Sequence, residues 1–335
     1  MLKRMNNTRL LLIYGRTNHH LGLWNDLEND SRVILRTTMK RKLSILQRVF
    51  FSIMRHLAIP PPKKVYYCYS DLFKIVLKVT HIVVVDGALN NIDISELIKC
   101  RQLNPNLKII LYLINSINAQ SPIMQGVRPK IKMFDWDCIY TFDKEDAKRY
   151  GYKYIGFCYY SSNQFPEKKE TTNDAYFVGG LKGQRENTIY DTYNFLVSKG
   201  VKCMFDLMPI GNSIPAPLPN VNFYHGWKPY DEILNKVQES NCIIEICQQG
   251  QNGATLRYFE AVTMNKKLLT NNKNIINFPF YNPRWMKIFS SVDDIDTEWV
   301  KKREPIDYNY QGEFSPTHFI DYILSENKKD TTKQK

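Results

Sequence analysis

The chain has 335 residues, of which 43% are apolar and 13% aromatic, a composition that excludes a mainly disordered protein. Because single hydrophobic cores stop growing near about 250 to 300 residues, we expect two domains. The formal net charge of +13 lies in the first half alone, since residues 1–165 carry 25 basic and 12 acidic side chains whereas residues 166–335 carry 21 of each, and such an excess indicates an anionic partner.

In the first half, short β-rich runs alternate with helical patterns, which is typical of α/β domains with parallel sheets. The predicted strands are residues 9–14, 64–69, 81–86, 107–114 and 138–142, and the predicted helices are residues 41–58, 93–103 and 143–150. Asp143 is the expected N-cap of the last of these helices. The loop after the first strand, YGRTNHHLG, lacks the glycine fingerprint of dinucleotide-binding loops.

Residues 36–64 form the most basic segment, with eight Lys or Arg and no acidic residue. Helical spacing separates a polar side from an apolar one: the polar residues are Ser44, Arg48, Ser52 and Arg55, and the apolar residues are Leu46, Val49, Phe50, Ile53, Met54 and Leu57. This pattern predicts a basic amphipathic helix. Two interpretations explain this helix equally well: it binds an anionic membrane, or its apolar side packs on the N-terminal sheet.

The segment 163–174, NQFPEKKETTND, is polar and contains a proline, which predicts an interdomain linker. Beyond it the predicted strands are residues 175–180, 202–209, 221–227, 242–247 and 266–272, and the predicted helices are residues 185–199, 229–240 and 254–264. Ser315 and Pro316 form the expected start of a terminal helix. The expected organisation is a basic N-terminal domain over 1–165, a second domain over 172–314, and a terminal helix with a disordered tail over 315–335.

The seven cysteines are scattered, odd in number and mostly placed in apolar segments, which predicts reduced thiols in a cytosolic protein. No cysteine pair has the spacing and histidine partners of a zinc site, so we expect no metal. The apolar run near the N-terminus is too short for a signal peptide or a membrane-spanning helix.

Two loops after predicted strands of the second half suit a nucleotide diphosphate. The first loop, FVGGLKGQR, offers Gly179, Gly180 and Gly183 for close backbone approach. Lys182 and Arg185 add positive charge at the start of the following helix, where free amides favour an anion. A surface turn with solvated basic side chains is the alternative interpretation.

The second loop, CQQGQNGATLRYFEA, has Gly250 and Gly253 just before a predicted helix. On that helix Arg257 and Glu260 are three residues apart and therefore share a face. A cation near phosphates and a carboxylate that accepts ribose hydroxyls suit a sugar nucleotide. An ordinary ion pair on an exposed helix is the alternative. The position after a buried strand and a glycine loop favours the nucleotide.

Four ordered segments over about residues 135 to 285 resemble a bacterial family of lipopolysaccharide and capsular polysaccharide biosynthesis proteins regarded as glycosyltransferases. These segments are WDCIYTFDKEDAKRYGYKY, YFVGGLKGQREN, GATLRYFEAVTMNKKLLTNN and FYNPRW. More broadly, the order of strand, glycine loop and helix glutamate resembles the donor-binding region of GT-B glycosyltransferases. The resemblance implies an α/β fold of two Rossmann-like domains facing across a cleft, a nucleotide-sugar donor, no cofactor and no metal.

The resemblance also implies roles for individual residues. Glu260 would accept the ribose hydroxyls, and Lys182 and Arg257 would stabilise the departing diphosphate. The expected donor-binding residues are Gly180, Lys182, Gly183, Arg185, Gln251, Gly253, Ala254, Thr255, Arg257 and Glu260. Many retaining enzymes of this fold have a carboxylate where this chain has Asn252, so the stereochemical class stays open. The candidates for a catalytic base are His19, His20, Asp86 and Glu245.

We therefore expect a cytoplasmic glycosyltransferase, attached peripherally to the inner face of the cell membrane through residues 36–64. Its acceptor would be a lipid-linked, lipopolysaccharide or capsular glycan. A sugar-nucleotide epimerase of the same fold, a non-catalytic nucleotide-sugar-binding protein and a nucleic-acid-binding protein remain alternatives. No nucleic-acid partner is expected, because the basic half contains no recognisable RNA- or DNA-binding motif.

Overall fold

The computed structural model describes residues 9–15, 23–38, 44–56, 72–118, 122–156, 169–181, 183, 185–209, 215–226, 228–248 and 253–332. The chain divides into two compact units. The first unit comprises Met1–Cys158 together with Pro316–Lys335, and the second comprises Tyr159–Ser315.

A six-stranded parallel sheet forms the centre of the first unit. Its strands are β1 (Leu10–Tyr14), β2 (Val33–Thr37), β3 (His81–Val85), β4 (Lys108–Leu113), β5 (Cys138–Thr141) and β6 (Lys153–Tyr154). Their order is β2-β1-β3-β4-β5-β6, which changes direction between β1 and β3. Four of these strands match predicted ones, whereas β2 and β6 were not predicted. The strand predicted at 64–69 lies outside the described residues.

The helices of the first unit follow its strands along the chain. They are α1 (Ile45–His56), α2 (Leu72–Val76), α3 (Asp86–Leu89), α4 (Ile94–Leu103), α5 (Pro122–Lys132) and α6 (Lys144–Tyr150). Asp143 caps α6, as predicted, by accepting hydrogen bonds from the amides of Glu145 and Asp146. Asp93 caps α4 in the same way through the amide of Ser95.

The terminal helix α11 (Pro316–Thr332) belongs to the first unit. Phe319 packs on Tyr112 with ring centroids 4.5 Å apart. Asp321 accepts a hydrogen bond of 2.6 Å from the guanidinium of Arg32. The sequence predicts the start of this helix but gives no sign that the chain returns to its first unit. The helix extends to Thr332, within the segment predicted to be a disordered tail.

The second unit contains another six-stranded parallel sheet. Its strands are β7 (Asn173–Gly180), β8 (Cys203–Met208), β9 (Val221–Phe223), β10 (Ser240–Glu245), β11 (Lys267–Thr270) and β12 (Met286–Ile288). Their order is β12-β11-β10-β7-β8-β9, so the direction changes between β10 and β7. Ligand-binding loops of doubly wound sheets lie at such a switch point, beyond the carboxyl ends of the strands. β7 begins within the segment predicted as a linker.

The helices of the second unit are α7 (Arg185–Ser198), α8 (Tyr230–Gln238), α9 (Leu256–Thr263) and α10 (Thr297–Lys301). Alternate strand residues such as Phe177, Phe205 and Ile244 join one hydrophobic core, which includes side chains of α7 and α10. The intervening residues point to the other face of the sheet, because successive side chains of a strand alternate. Two of them, Asp206 and Glu245, are buried acids, which is unusual in such strands.

Helix α1 exposes the apolar side chains that could have packed on the first sheet. Its most exposed apolar residues are Ile45 (74%), Leu46 (82%), Val49 (53%), Phe50 (58%) and Ile53 (53%). None of the described α1 side chains belongs to the core of the first unit. The interpretation of α1 as a helix packed on the N-terminal sheet is therefore not what the structure shows.

No helix among the described residues has both the length and the apolar character that a membrane crossing requires.

Candidate functional site

The two glycine loops begin at neighbouring strands, at the switch point of the second sheet. The first loop follows β7, which ends at Gly180, and the second follows β10, which ends at Glu245. Strands β7 and β10 are neighbours in the sheet. Among the described residues, the structure brings Arg185, Arg257 and Glu260 together near Glu245.

Glu245 fixes the start of helix α9. Its two carboxylate oxygens accept hydrogen bonds from the hydroxyls of Thr255 and Thr270. Thr255 is the N-cap of α9 and accepts a hydrogen bond of 3.1 Å from the amide of Arg257. Burial raises the pKa of Glu245, whereas the hydrogen bonds from these two hydroxyls lower it. Since both oxygens serve the local structure, we do not propose Glu245 as a catalytic base.

Glu260 is fully buried and asymmetrically bonded. Its Oε1 accepts hydrogen bonds from the hydroxyl of Tyr230 at 2.7 Å and from Nη2 of Arg257 at 2.6 Å. Its Oε2 has no hydrogen-bond partner among the described residues. Burial raises the pKa of Glu260 to about 7, although Arg257 and Tyr230 act in the opposite direction. An unsatisfied buried acceptor is costly, and a hydroxyl of a ligand would satisfy it.

Arg185, the first residue of α7, is a largely buried cation. Its guanidinium lies over the ring of Phe177, 5.6 Å from the centroid. Within the described part of the chain, no carboxylate pairs with it and its buried Nε has no hydrogen-bond partner. Burial lowers the pKa of Arg185, and the positive charge of Arg257 acts in the same direction, whereas Cys247 and Glu245 act in the opposite direction. A largely buried cation that forms no ion pair with the described residues is costly, which favours binding of an anion at this position.

Gly179 gives Arg185 the space that it occupies. A Cβ atom at position 179 would lie 2.0 Å from Nη2 of Arg185 and 3.0 Å from the ring of Phe177. The glycine pair belongs to β7, where Gly179 and Gly180 pair with Leu207 and Met208 of β8. The alternative of a surface turn is thus wrong for these two glycines.

For the nucleoside diphosphate that the sequence predicts as ligand, we expect Gly179→Ala to weaken binding about tenfold, because the added methyl group displaces the guanidinium without removing it. Calorimetric titration measures this loss. In an Arg185→Met background the same substitution should have little further effect, since the displaced group is already absent. Equal losses in the two backgrounds would show that Gly179 acts independently of Arg185.

A second buried acid of the sheet, Asp206, lies on the same face as Glu245. Asp206 accepts hydrogen bonds from the hydroxyl of Tyr176 at 2.7 Å and from Nδ2 of Asn222 at 2.9 Å, and it pairs with Lys228. Neither Asp206 nor Tyr230 is predicted as a site residue from the sequence. The available signal was the acid inside the apolar strand CMFDLM.

The remaining predicted residues are distributed as follows. Gly253 and Ala254 are half-buried beside Thr255, and the carbonyl of Gly253 accepts a hydrogen bond of 3.3 Å from Nδ2 of Asn272. Gly183 adopts a positive φ of 56°, which suits glycine. Lys182, Gln251, His19 and His20 lie outside the described residues.

Asp86 belongs to the first unit, at the carboxyl end of β3. Its carboxylate accepts hydrogen bonds from the amides of Gly87, Ile114 and Asn115 and from the side chain of Asn115. Burial raises the pKa of Asp86 to about 6. These bonds join the ends of β3 and β4, so the alternative of a turn-shaping residue describes it better than a base.

Comparison with known proteins shows the fold. No protein-family model and no curated protein sequence matches the chain. A solved structure of a putative UDP-N-acetylglucosamine 2-epimerase from Listeria monocytogenes is similar, with a TM-score of 0.52, 10% identity, and coverage of 96% of this chain and 97% of that chain. The two parallel sheets with their helices are those of the GT-B fold, as predicted.

Two other solved structures are similar at lower scores. The UDP-GlcNAc 2-epimerase from Neisseria meningitidis bound to UDP-GlcNAc has a TM-score of 0.46, 8% identity, and coverage of 95% of this chain and 100% of that chain. The glycosyltransferase SnogD from Streptomyces nogalater has a TM-score of 0.36, 11% identity, and coverage of 80% and 84%.

Proposed function

We propose that the protein is a glycosyltransferase that binds a nucleotide-sugar donor at the carboxyl edge of β7 and β10. The sugar would pass to a lipid-linked, lipopolysaccharide or capsular glycan acceptor at the inner face of the cell membrane. The observation that carries this proposal is that two groups near one edge of the sheet each lack a partner that a ligand could supply. Among the described residues, no carboxylate forms an ion pair with the largely buried Arg185, and no group donates a hydrogen bond to the buried Oε2 of Glu260.

A nucleoside diphosphate satisfies both groups at once. Its diphosphate supplies the negative charge that Arg185 lacks, and charge-assisted hydrogen bonds to a guanidinium are strong. The ribose supplies hydroxyl donors for Oε2 of Glu260. The amides at the start of α7 and α9 add favourable dipoles for the phosphates.

During transfer, negative charge grows on the departing diphosphate. In this proposal Arg185 and Arg257 stabilise that charge, together with Lys182. The other residues of the proposed donor site belong to the two glycine-loop segments of the sequence. They are Gly180, Gly183, Gln251, Gly253, Ala254 and Thr255.

Helix α1 supports the membrane part of the proposal. Its apolar side chains are exposed in a segment that carries eight basic residues and no acidic one. Each basic residue near an anionic leaflet contributes about 1 kcal/mol, and inserted apolar side chains add to this attraction. The exposed side of α1 thus suits an anionic lipid surface, where a lipid-linked acceptor would be found.

We expect replacement of Leu46, Val49 and Ile53 by serine to reduce binding to anionic vesicles at least about tenfold, because apolar area no longer leaves the water. Stability should change little, since all three side chains are exposed. Sedimentation with phosphatidylglycerol vesicles measures the effect. Serine at Ile98 and Leu103, two exposed apolar positions of α4, is the matched control. Unchanged sedimentation of the triple variant would remove α1 as the membrane contact.

A sugar-nucleotide epimerase is the second candidate, favoured by the name of the similar structure from Listeria monocytogenes. Incubation with UDP-, GDP-, CMP- and dTDP-sugars separates the two activities. A transferase should release free nucleotide and label the lipid fraction only when bacterial membranes are added. An epimerase should convert the sugar nucleotide without any acceptor, and that result would overturn the transferase proposal.

A further inference from the structure

We propose that Tyr230 is a positioning residue that holds one oxygen of Glu260 so that the other oxygen alone receives the ribose of the donor. This inference rests on the proposed function. Tyr230 is buried at the first position of α8, whereas Glu260 lies on α9. Neither composition nor spacing connects the two residues, which are thirty positions apart.

The hydrogen bonds of Glu260 are placed on one side only. Oε1 accepts from the Tyr230 hydroxyl at 2.7 Å and from Arg257 at 2.6 Å, whereas Oε2 has no partner among the described residues. A carboxylate has two oxygens that each accept hydrogen bonds. Two donors at Oε1 therefore fix the plane of the group and leave Oε2, which the other described residues do not contact by hydrogen bonds, to accept a hydrogen bond from a ligand.

The segment that carries Tyr230 is itself anchored. Lys228, two residues earlier, pairs with the fully buried Asp206 of β8. The Tyr176 hydroxyl at 2.7 Å and Asn222 at 2.9 Å hold the same carboxylate. Pro229 lies between the two anchored side chains and restricts the backbone at the start of α8. The ion pair of Lys228 before Pro229 and the restricted backbone at Pro229 thus fix the position from which the phenol of Tyr230 reaches Glu260.

The ionisation of Glu260 depends on this contact. The groups that face it are Arg257 on its own helix, Tyr230 on α8, Glu245 on β10 and Tyr176 on β7. Burial and Glu245 favour the protonated form, whereas Arg257 and Tyr230 favour the carboxylate. Removal of the Tyr230 hydroxyl should therefore raise the pKa of Glu260 beyond about 7.

Binding of a nucleoside diphosphate gives the first test, with UDP, GDP and dTDP as probes. A ribose hydroxyl donates to the carboxylate, so affinity should fall as the pH drops through the pKa of Glu260. Tyr230→Phe should move the midpoint of that fall upward by about one pH unit, and should weaken binding about three- to tenfold above the midpoint.

Tyr193→Phe is the matched control. Tyr193 is a buried tyrosine of the same unit whose hydroxyl donates to the carbonyl of Pro219 at 2.7 Å. Its loss removes a comparable hydrogen bond far in sequence from Glu260, so the pH profile of binding should stay that of the wild type.

Unfolding at different pH values gives a test without any ligand. The folded pKa of Glu260, about 7, lies above its ordinary value of 4.5, so its contribution to stability is complete below 4.5 and is lost as the pH rises through 7. In Tyr230→Phe this loss should continue to higher pH. In a Glu260→Gln background, the curves of stability against pH with and without Tyr230→Phe should run parallel, because the titrating group is gone.

The proposal is overturned if Tyr230→Phe keeps the wild-type pH profile in both tests, or if its altered profile persists in the Glu260→Gln background. Failure of the proposed function looks different. In that case the wild type binds none of the three nucleotides, which also removes the role of Tyr230 in ligand binding. The unfolding test then still decides whether Tyr230 controls the ionisation of Glu260.

Discussion

Arg185→Met should weaken nucleoside diphosphate binding by about 10- to 100-fold while leaving the free energy of unfolding unchanged or higher. The loss corresponds to one or two charge-assisted hydrogen bonds of about 1.5 to 3 kcal/mol. Stability should not fall, because the substitution removes a buried charge that has no carboxylate partner among the described residues. Calorimetric titration and urea unfolding measure the two quantities.

Arg101→Met is the matched control for this prediction. Arg101 also lies over an aromatic ring, 5.0 Å from the centroid of Phe134, but it pairs with Asp137. Its replacement should reduce stability slightly and leave nucleotide binding intact. If Arg185→Met instead unfolds the protein more easily and binds nucleotide normally, then Arg185 is a structural residue.

A comparison of two substitutions of Glu260 distinguishes its effect on nucleotide binding from its effect on stability. Glu260→Gln keeps an acceptor for Tyr230 and should weaken nucleoside diphosphate binding by about 10- to 100-fold, because the amide accepts ribose hydroxyls less strongly than a carboxylate does. Glu260→Ala should in addition cost about 3 to 5 kcal/mol of stability, because it removes the fully buried carboxylate that Arg257 and Tyr230 both bind. Titration calorimetry and urea unfolding measure both.

Glu239→Gln is the control for these variants. Glu239 lies in the same unit and pairs with Lys169 and Lys236, outside the switch point. Its replacement should leave nucleotide affinity unchanged. If Glu260→Gln binds as tightly as Glu239→Gln, Glu260 does not contact the ribose.

The elements of the fold were readable where the signal is local. Buried parallel strands are continuous apolar runs, so segments such as HIVVV and CIIE stood out. The strands that were missed, β2, β6 and β12, have two to five residues and lie towards the edges of the sheets. Their pairing partners, rather than their composition, make them strands.

The candidate site was only partly readable for the same reason. The spacing of Arg257 and Glu260 on one helix predicts a contact, and the structure confirms that they pair. It also shows that Glu260 is fully buried and that the side chain of Arg257 is only 12% exposed, so the alternative of an exposed ion pair is wrong. Because Glu260 is buried, we expect Glu260→Ala to destabilise the protein. Tyr230 reaches Glu260 from another helix, a contact that needs the three-dimensional fold.

Arg185 illustrates how burial depends on neighbours that are distant in sequence or lack side chains. Its guanidinium occupies the space left by Gly179 and covers the ring of Phe177. The sequence shows a basic residue after glycines, which also fits a solvated turn. Only the pairing of Gly179 with Leu207 reveals that the glycines continue a strand and place Arg185 at the sheet edge.

A crystal structure of the complex with the tightest-binding nucleoside diphosphate is the most direct measurement of the proposed site. We expect a ribose hydroxyl within about 3 Å of Oε2 of Glu260 and the diphosphate in contact with the guanidinium of Arg185. A nucleotide bound away from the β7 and β10 loops, or a ribose whose hydroxyls do not reach Glu260, would contradict the assignment.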